Sequence, residues 1–254
     1  MRTLIYGVIW AAMCLPLDAY AAEGERFIPD CAGSVAIAHA RIARVERDGA
    51  LILSDGRVLV LEGIRLPRAD KAIFGQTLAV LRAMALSGSA TFTAVSPAKD
   101  RYGRMRVQGF GRLWFQIALL EQGLARVQIA PDRSECAPDL YEAETGARAR
   151  HAGIWALPAY QVRGPQALAG TAGSFQLVEG KVSNIGPADG RTFIDFGDRR
   201  QFSAVIGPED RHAFRDFDFD ELPKHRIRVR GIVQDHRGRA EIVLFNPYQI
   251  ELLD

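Results

Sequence analysis

The side chains that do chemistry in proteins are sparse in this sequence and seldom gathered. It contains no CxxC pair, no HExxH, no GxSxG and no glycine loop of the phosphate-cradling kind. The five histidines, His39, His151, His212, His225 and His236, lack metal-ligand spacing, and each reads as a surface or capping residue. The carboxylates Glu46, Asp48, Glu62 and Asp70 fall close together in sequence. Glu62 should share a strand face with Val60, whereas Asp48, followed by Gly49, reads as a turn residue. Arginines are the other candidates, because a planar guanidinium can hold two oxygens of an anion at once. Arg226, Arg228 and Arg230 alternate onto one strand face and could meet a polyanion. The nearby run Asp216, Asp218, Asp220, Glu221 favours a plain solvated face.

Of three cysteines, Cys14 lies in an apolar stretch near the N-terminus. Residues 1–22 read as a secretory signal, with Arg2, a run too short to cross a bilayer, and small residues at its end. The competing reading is an uncleaved membrane anchor. Export to the periplasm or the medium is expected, with no stable membrane span once the signal is removed. Cys31 and Cys136 then remain. They allow one disulfide tying an N-terminal arm (residues 23–33) to the loop between two late helices, or else two buried thiols.

The elements come in two series. In residues 34–160, VAIAHARIARVE reads as a strand, and ALIL and VLVLEGI as a hairpin turning at Ser54-Asp55-Gly56. KAIFGQTLAVLRAMAL has helical spacing, ATFTAV and MRVQGF are strands around KDRYGR, and WFQIALLEQGLARV is a second helix. A third helix runs from about Asp139 to His151, and Trp114 and Trp155 fall in core patterns. Residues 161–173 read as a connector with a flexible Gly-Thr-Ala-Gly end. Residues 174–254 then give three strands, a short helix within PEDRHAFRDFDFDEL, and two long strands, HRIRVRGIVQDHRG and AEIVLFNPYQIELL. Each series fits a five-stranded barrel of the OB type, making an α+β chain of two barrels. Lys and Arg outnumber Asp and Glu by 17 to 12 between Ser34 and Tyr160 but not from Ser174 onward, where they stand 12 to 14. The first half is thus mildly basic, which is compatible with a polyanion partner.

The first series also resembles the staphylococcal-nuclease-like (thermonuclease) family. The resemblance rests on Asp48-Gly49, Gly63-Ile64 and Pro67, on Asp100-Arg101-Tyr102-Gly103-Arg104, and on Gly123-Leu124-Ala125. Glu144 with Ala147-Arg148 and Gly153-Ile154-Trp155 extend it. It implies a nuclease barrel with three helices and calcium-dependent hydrolysis of DNA and RNA. In that chemistry carboxylates hold Ca²⁺ and activate water while two arginines stabilise the phosphate. Here the acid after Asp-Gly is Ala50, the arginine before LxGI is Val60, the acid after Gly-Ile is Arg65, and the glutamate after the proline is Arg68. Arg104 alone keeps a phosphate-binding position. Hydrolysis of the family's kind is therefore not expected, nor is a cofactor.

What remains is a candidate anion site of Arg65, Arg68 and Arg104. The competing reading makes the first two solvated loop residues and the third a support for its hairpin. An exported binding module is expected, for nucleic acid, another polyanion or an envelope protein. One alternative is an active nuclease whose Ca²⁺ sits on relocated ligands, Glu62 and Asp70. Another is a structural envelope protein without a ligand. In the second series GKVSNI, RVRGIV and the ending P-x-Q-I-E look similar to nucleic-acid-type OB domains.

Overall fold

The computed structural model describes residues 28–253 apart from 34, 89, 95–98 and 198–200. The expected signal, residues 1–22, and residues 23–27 of the arm lie outside the described residues. Near the start of the nuclease-like series, Gly56 takes φ +87° and Asp55 accepts the backbone N–H of Arg57 at 3.0 Å. This closes the hairpin of β3 (Leu51–Leu53) and β4 (Val58–Leu61). β4 runs parallel to β7 (Met105–Phe110), which pairs antiparallel with β6 (Thr91–Ala94). The stretch read above as one strand is broken at His39, whose φ is 51°, into β1 (Val35–Ala36) and β2 (Ile42–Val45). β1 pairs with β6 and β2 with β3, the two ends of the sheet, so the broken strand closes the barrel.

Around this barrel lie three helices. Asp70 caps α1 (Lys71–Ala85) by accepting the N–H of Ile73 at 2.9 Å. Leu78, Leu81 and Ala85 of α1 then pack on Leu51, Leu59 and Phe92 of the barrel. α2 (Phe115–Glu121) stops sooner than its apolar spacing suggested, because Gly123 at φ +63° turns the chain out of the helix. Residues assigned above to that helix instead form β8 (Arg126–Val127), which pairs with β5 (Ile64–Arg65) and sets Arg65 opposite Arg126. Cys136 caps α3 (Ala137–Ala149) and is disulfide-bonded to Cys31, with a Cα–Cα distance of 5.1 Å.

Gly123 also sits where the chain crosses itself. A Cβ there would lie 2.0 Å from the carbonyl oxygen of Ala152, and its own carbonyl accepts the Ile154 N–H at 2.9 Å. Gly123→Ala should therefore cost roughly 2–4 kcal/mol in urea unfolding, combining a left-handed backbone penalty with overpacking. A variant as stable as the parent would mean that the crossing yields freely.

The second series repeats the plan. β9 (Phe175–Ala188), β10 (Arg191–Phe196) and β11 (Phe202–Ile206) are consecutive antiparallel neighbours. β11 runs parallel to β13 (Arg239–Leu244), and β12 (Arg226–His236) pairs with both β13 and β9, closing a five-membered ring. In each barrel the third strand lies parallel to the last, with helical segments inserted after the third, an OB-type arrangement. The expected short helix is two 3-10 turns, Arg211–Phe214 and Phe219–Lys224, which pack Phe214 and Leu222 into the core. The expected last strand is cut by a turn at Pro247–Gln249, capped by Asn246, leaving β14 (Ile250–Leu253) to pair with β12.

The two halves are joined more tightly than a connector implies. Arg163 exchanges backbone hydrogen bonds with Leu177 and Glu179, Leu168 enters the second core, and the Gly173 N–H donates to Val233. Trp155 and Tyr160 share a core with Phe175 and Leu177. Of the three strand arginines Arg226 is exposed, as a solvated face implies, but Arg228 and Arg230 are covered, so the three do not form one free polyanion surface. Arg226 reaches Glu179 at 2.8 Å, and Arg228 bridges Glu179 at 2.8 Å and Glu251 at 3.0 Å. Arg230 is 1% exposed and donates to Glu144 at 2.7 Å, to Glu251, and to the Val127 carbonyl at 3.3 Å. Burial favours the neutral form of Glu251, but Arg230, Arg228 and Arg148 outweigh it and hold the carboxyl below its ordinary value. A depressed folded pKa gives stability that is complete above the unfolded value and lost as pH falls. Wild type should thus lose more of its Tm than Glu251→Gln between pH 5 and pH 3, and parallel curves would show that Glu251 contributes nothing to acid lability.

Candidate functional site

One cleft of about 990 Å³ runs along the mouth of the first barrel to the edge of the second. β4, the β5–β8 pair, the Asp48-Gly49 turn that precedes β3, and the Lys99–Arg104 hairpin form its walls, and Phe175 and Phe245 also line it. Seven of the lining residues are Lys or Arg and four are Asp or Glu.

Arg65, Arg68 and Arg104 all line this cleft, but they are not equally committed. Arg104 donates to Asp100 at 2.8 Å, and Asp100 also accepts the Arg104 and Tyr102 backbone N–H groups, so Arg104 does support its hairpin. Burial would raise Asp100, yet these hydrogen bonds hold it below the usual range. Arg68 donates to the Asp48 carbonyl at 2.7 Å and lies 3.9 Å from its carboxylate, with Arg104 on the other side at 4.0 Å. Asp48 serves its turn as well, accepting the Ala50 N–H at 3.0 Å. Among the described residues Arg65 has no ion pair, yet it is not simply solvated: it donates to the Gln128 side chain at 3.1 Å and lies over the Phe175 ring at 5.6 Å. Burial, then Arg68, lowers its pKa.

Residues 59–157 match the family described as staphylococcal nuclease homologue. The first barrel is a staphylococcal-nuclease-like domain. The match begins at Leu59, so Asp48, Gly49 and Ala50 fall before it. No curated protein matches the chain.

Among the described residues, the four positions where the resemblance calls for calcium or phosphate ligands, Ala50, Val60, Arg65 and Arg68, offer no carboxylate to a calcium ion. Ca²⁺ takes six to eight oxygens, chiefly from carboxylates. Ala50 is a buried apolar residue, Val60 is a strand residue, and Arg65 and Arg68 bring positive charge into the cleft. The relocated pair is not assembled either. Asp70 caps α1 and does not line the cleft. Glu62 lies 3.5 Å from Arg106, and burial raises its carboxyl despite that arginine. Among the described residues, no group of three or more His, Cys, Asp or Glu gathers in a way that could hold a metal ion.

Two arginines escaped the motif reading. Arg106 stands opposite Val60 in the parallel β4–β7 register and grips Asp132 with both terminal nitrogens, at 2.8 and 2.6 Å. Arg126, on β8, lies between the rings of Tyr160 and Phe175, at 4.9 and 4.6 Å from their centroids. The alternation Ala125-Arg126-Val127-Gln128-Ile129 already carries a strand signal, with Arg126 and Gln128 on one face. The helical spacing just before it masked that signal.

Proposed function

We propose that this cleft binds a polyanion of the nucleic-acid type, preferably a single strand, without calcium-dependent hydrolysis. The observation that carries this reading is the exchange of cation ligands for cations. Arg65 and Arg68 stand where the resemblance calls for carboxylates, and with them the basic side chains of the cleft outnumber the acidic ones by seven to four. Tyr102, which is exposed, and Phe245 add aromatic side chains to that lining. A basic groove with rings along it suits a phosphodiester strand, whose backbone is held by charge and whose bases stack irrespective of sequence. The Cys31–Cys136 disulfide supports an oxidising compartment, hence a periplasmic or secreted protein.

Fluorescence anisotropy with labelled single-stranded DNA and RNA between about 50 and 200 mM salt tests the reading. Affinity should fall steeply with salt. Arg68→Ala should weaken binding to every sequence and flatten the log–log slope by about 0.7–1, the loss of one phosphate contact. Absence of binding at the lowest salt overturns the proposal. A parallel hydrolysis assay in Ca²⁺ and in EDTA should show no turnover. Metal-dependent cleavage that disappears in Arg104→Ala would restore the nuclease reading.

A further inference from the structure

The seam between the barrels holds an arrangement that folding alone does not favour. Arg65 and Arg126 are direct cross-strand partners on β5 and β8, and like charges placed opposite one another in a strand pair repel. Arg126 is 8% exposed, yet among the described residues its guanidinium makes no hydrogen bond and no ion pair. The carboxylate that acts on it, Glu144, is already engaged by Arg230, Arg148 and the Val127 N–H. Arg126 lines the cleft with its guanidinium carbon over the Tyr160 and Phe175 rings, contacts that leave its N–H donors without a hydrogen-bonding partner among the described residues. Arg65 lies over the same Phe175 ring, and Gln128 occupies only one of its nitrogens. Burial, followed by Arg65, pushes Arg126 down to about 10, so it stays charged at neutral pH.

We propose that Arg65 and Arg126 form a recessed subsite for a dianionic phosphate, the terminal monoester of a strand or free phosphate. Two guanidiniums, neither ion-paired among the described residues, match a group with two charges better than a backbone diester with one. Forked N–H edges suit the oxygens of a tetrahedral anion. The subsite belongs to neither barrel alone. β5 and β8 bring the arginines, β9 begins with the ring that seats both, and Arg230 holds the Val127 carbonyl next to Arg126. The inference deepens the anion-binding reading of the cleft and rests on it for a strand as ligand, although free phosphate tests it separately.

Two measurements on the full chain decide the matter. The first is the Tm in inorganic phosphate against chloride of equal ionic strength, read as the difference between wild type and variants, because phosphate also stabilises folded proteins by exclusion. The second is affinity for one oligonucleotide with a 5′-phosphate, a 3′-phosphate or hydroxyl ends. Wild type should gain Tm in phosphate over Arg126→Leu and over Arg65→Gln. A terminal phosphate should tighten binding roughly tenfold or more, the size of one charge-assisted hydrogen bond, and Arg126→Leu should abolish that preference. Arg126→Lys, which keeps the charge and loses the fork, should lose most of it.

Phosphate-specific stabilisation without any oligonucleotide binding would uphold the subsite and overturn the strand-binding proposal. Strand binding indifferent to end phosphate, together with equal phosphate responses in wild type and variants, overturns the subsite and leaves the strand-binding proposal standing. Arg126→Leu folded but destabilised, with the phosphate response intact, would reduce Arg126 to a packing residue and also overturn the subsite.

Discussion

Glu144→Ala should destabilise the protein by about 3–5 kcal/mol in urea unfolding, the cost of leaving a buried charge without its partner. Glu144 is 0% exposed. It accepts the Val127 N–H at 2.7 Å, faces Arg230 at 2.7 Å, and has Arg148 at 3.4 Å on its own helix. Burial disfavours the charge on Arg230, but Glu144, Tyr141 and Glu251 outweigh it and raise its pKa; an arginine is not deprotonated in a protein, so the guanidinium remains charged beside Glu251 after Glu144 is removed. The damage therefore comes from the stranded cation. Glu144→Gln/Arg230→Met should lose less than Glu144→Gln and Arg230→Met added together, because removing both charges leaves neither ion stranded. A double variant whose loss equals the two single losses added together would show that the pair is not coupled.

Reduction of the disulfide should be nearly as costly. Cys31 and Cys136 are separated by 105 positions, and a bridge closing a loop of that length removes a large part of the unfolded chain's freedom. Cys31→Ser/Cys136→Ser should lose about 2–5 kcal/mol. The loss should appear chiefly in unfolding by heat or urea, since the bridge anchors the short Asp30–Ala32 turn to the start of α3 and lies outside the cleft's arginine wall. Strand binding below the Tm should survive. Binding lost in a variant that is still folded would place the bridge in the site rather than in the framework.

Much of this molecule is legible in its sequence, wherever local chemistry decides. The Ser54-Asp55-Gly56 hairpin follows from residues whose preferences are strong and near in sequence, and the two cysteines outside the expected signal make a Cys31–Cys136 bridge one of two open readings. Motif order also located Arg65, Arg68 and Arg104, which the fold brings to one cleft. What eluded the reading was decided at long range. Arg230 belongs to an alternating, surface-like strand, and only packing against α3 turns that alternation inward. Arg126 hides in the tail of a helical pattern, and its neighbour Phe175 comes from the other barrel. Residues 161–173 look like linker composition, yet Arg163 and Leu168 dock them onto the second half. Charge patterns identify a face but not what covers it, whereas pairing partners 86 positions apart, such as Glu144 and Arg230, exist only in the fold.

The Arg230–Glu144 contact bears on modularity. A chain cut after Tyr160 would retain Glu144 inside α3 with its principal cation gone and the Val127 carbonyl stripped of a donor. The nuclease-like portion is thus not a portable cassette. It could be transplanted or shuffled only together with the barrel that supplies Arg230, and any exchange of that barrel must bring an arginine to the same depth.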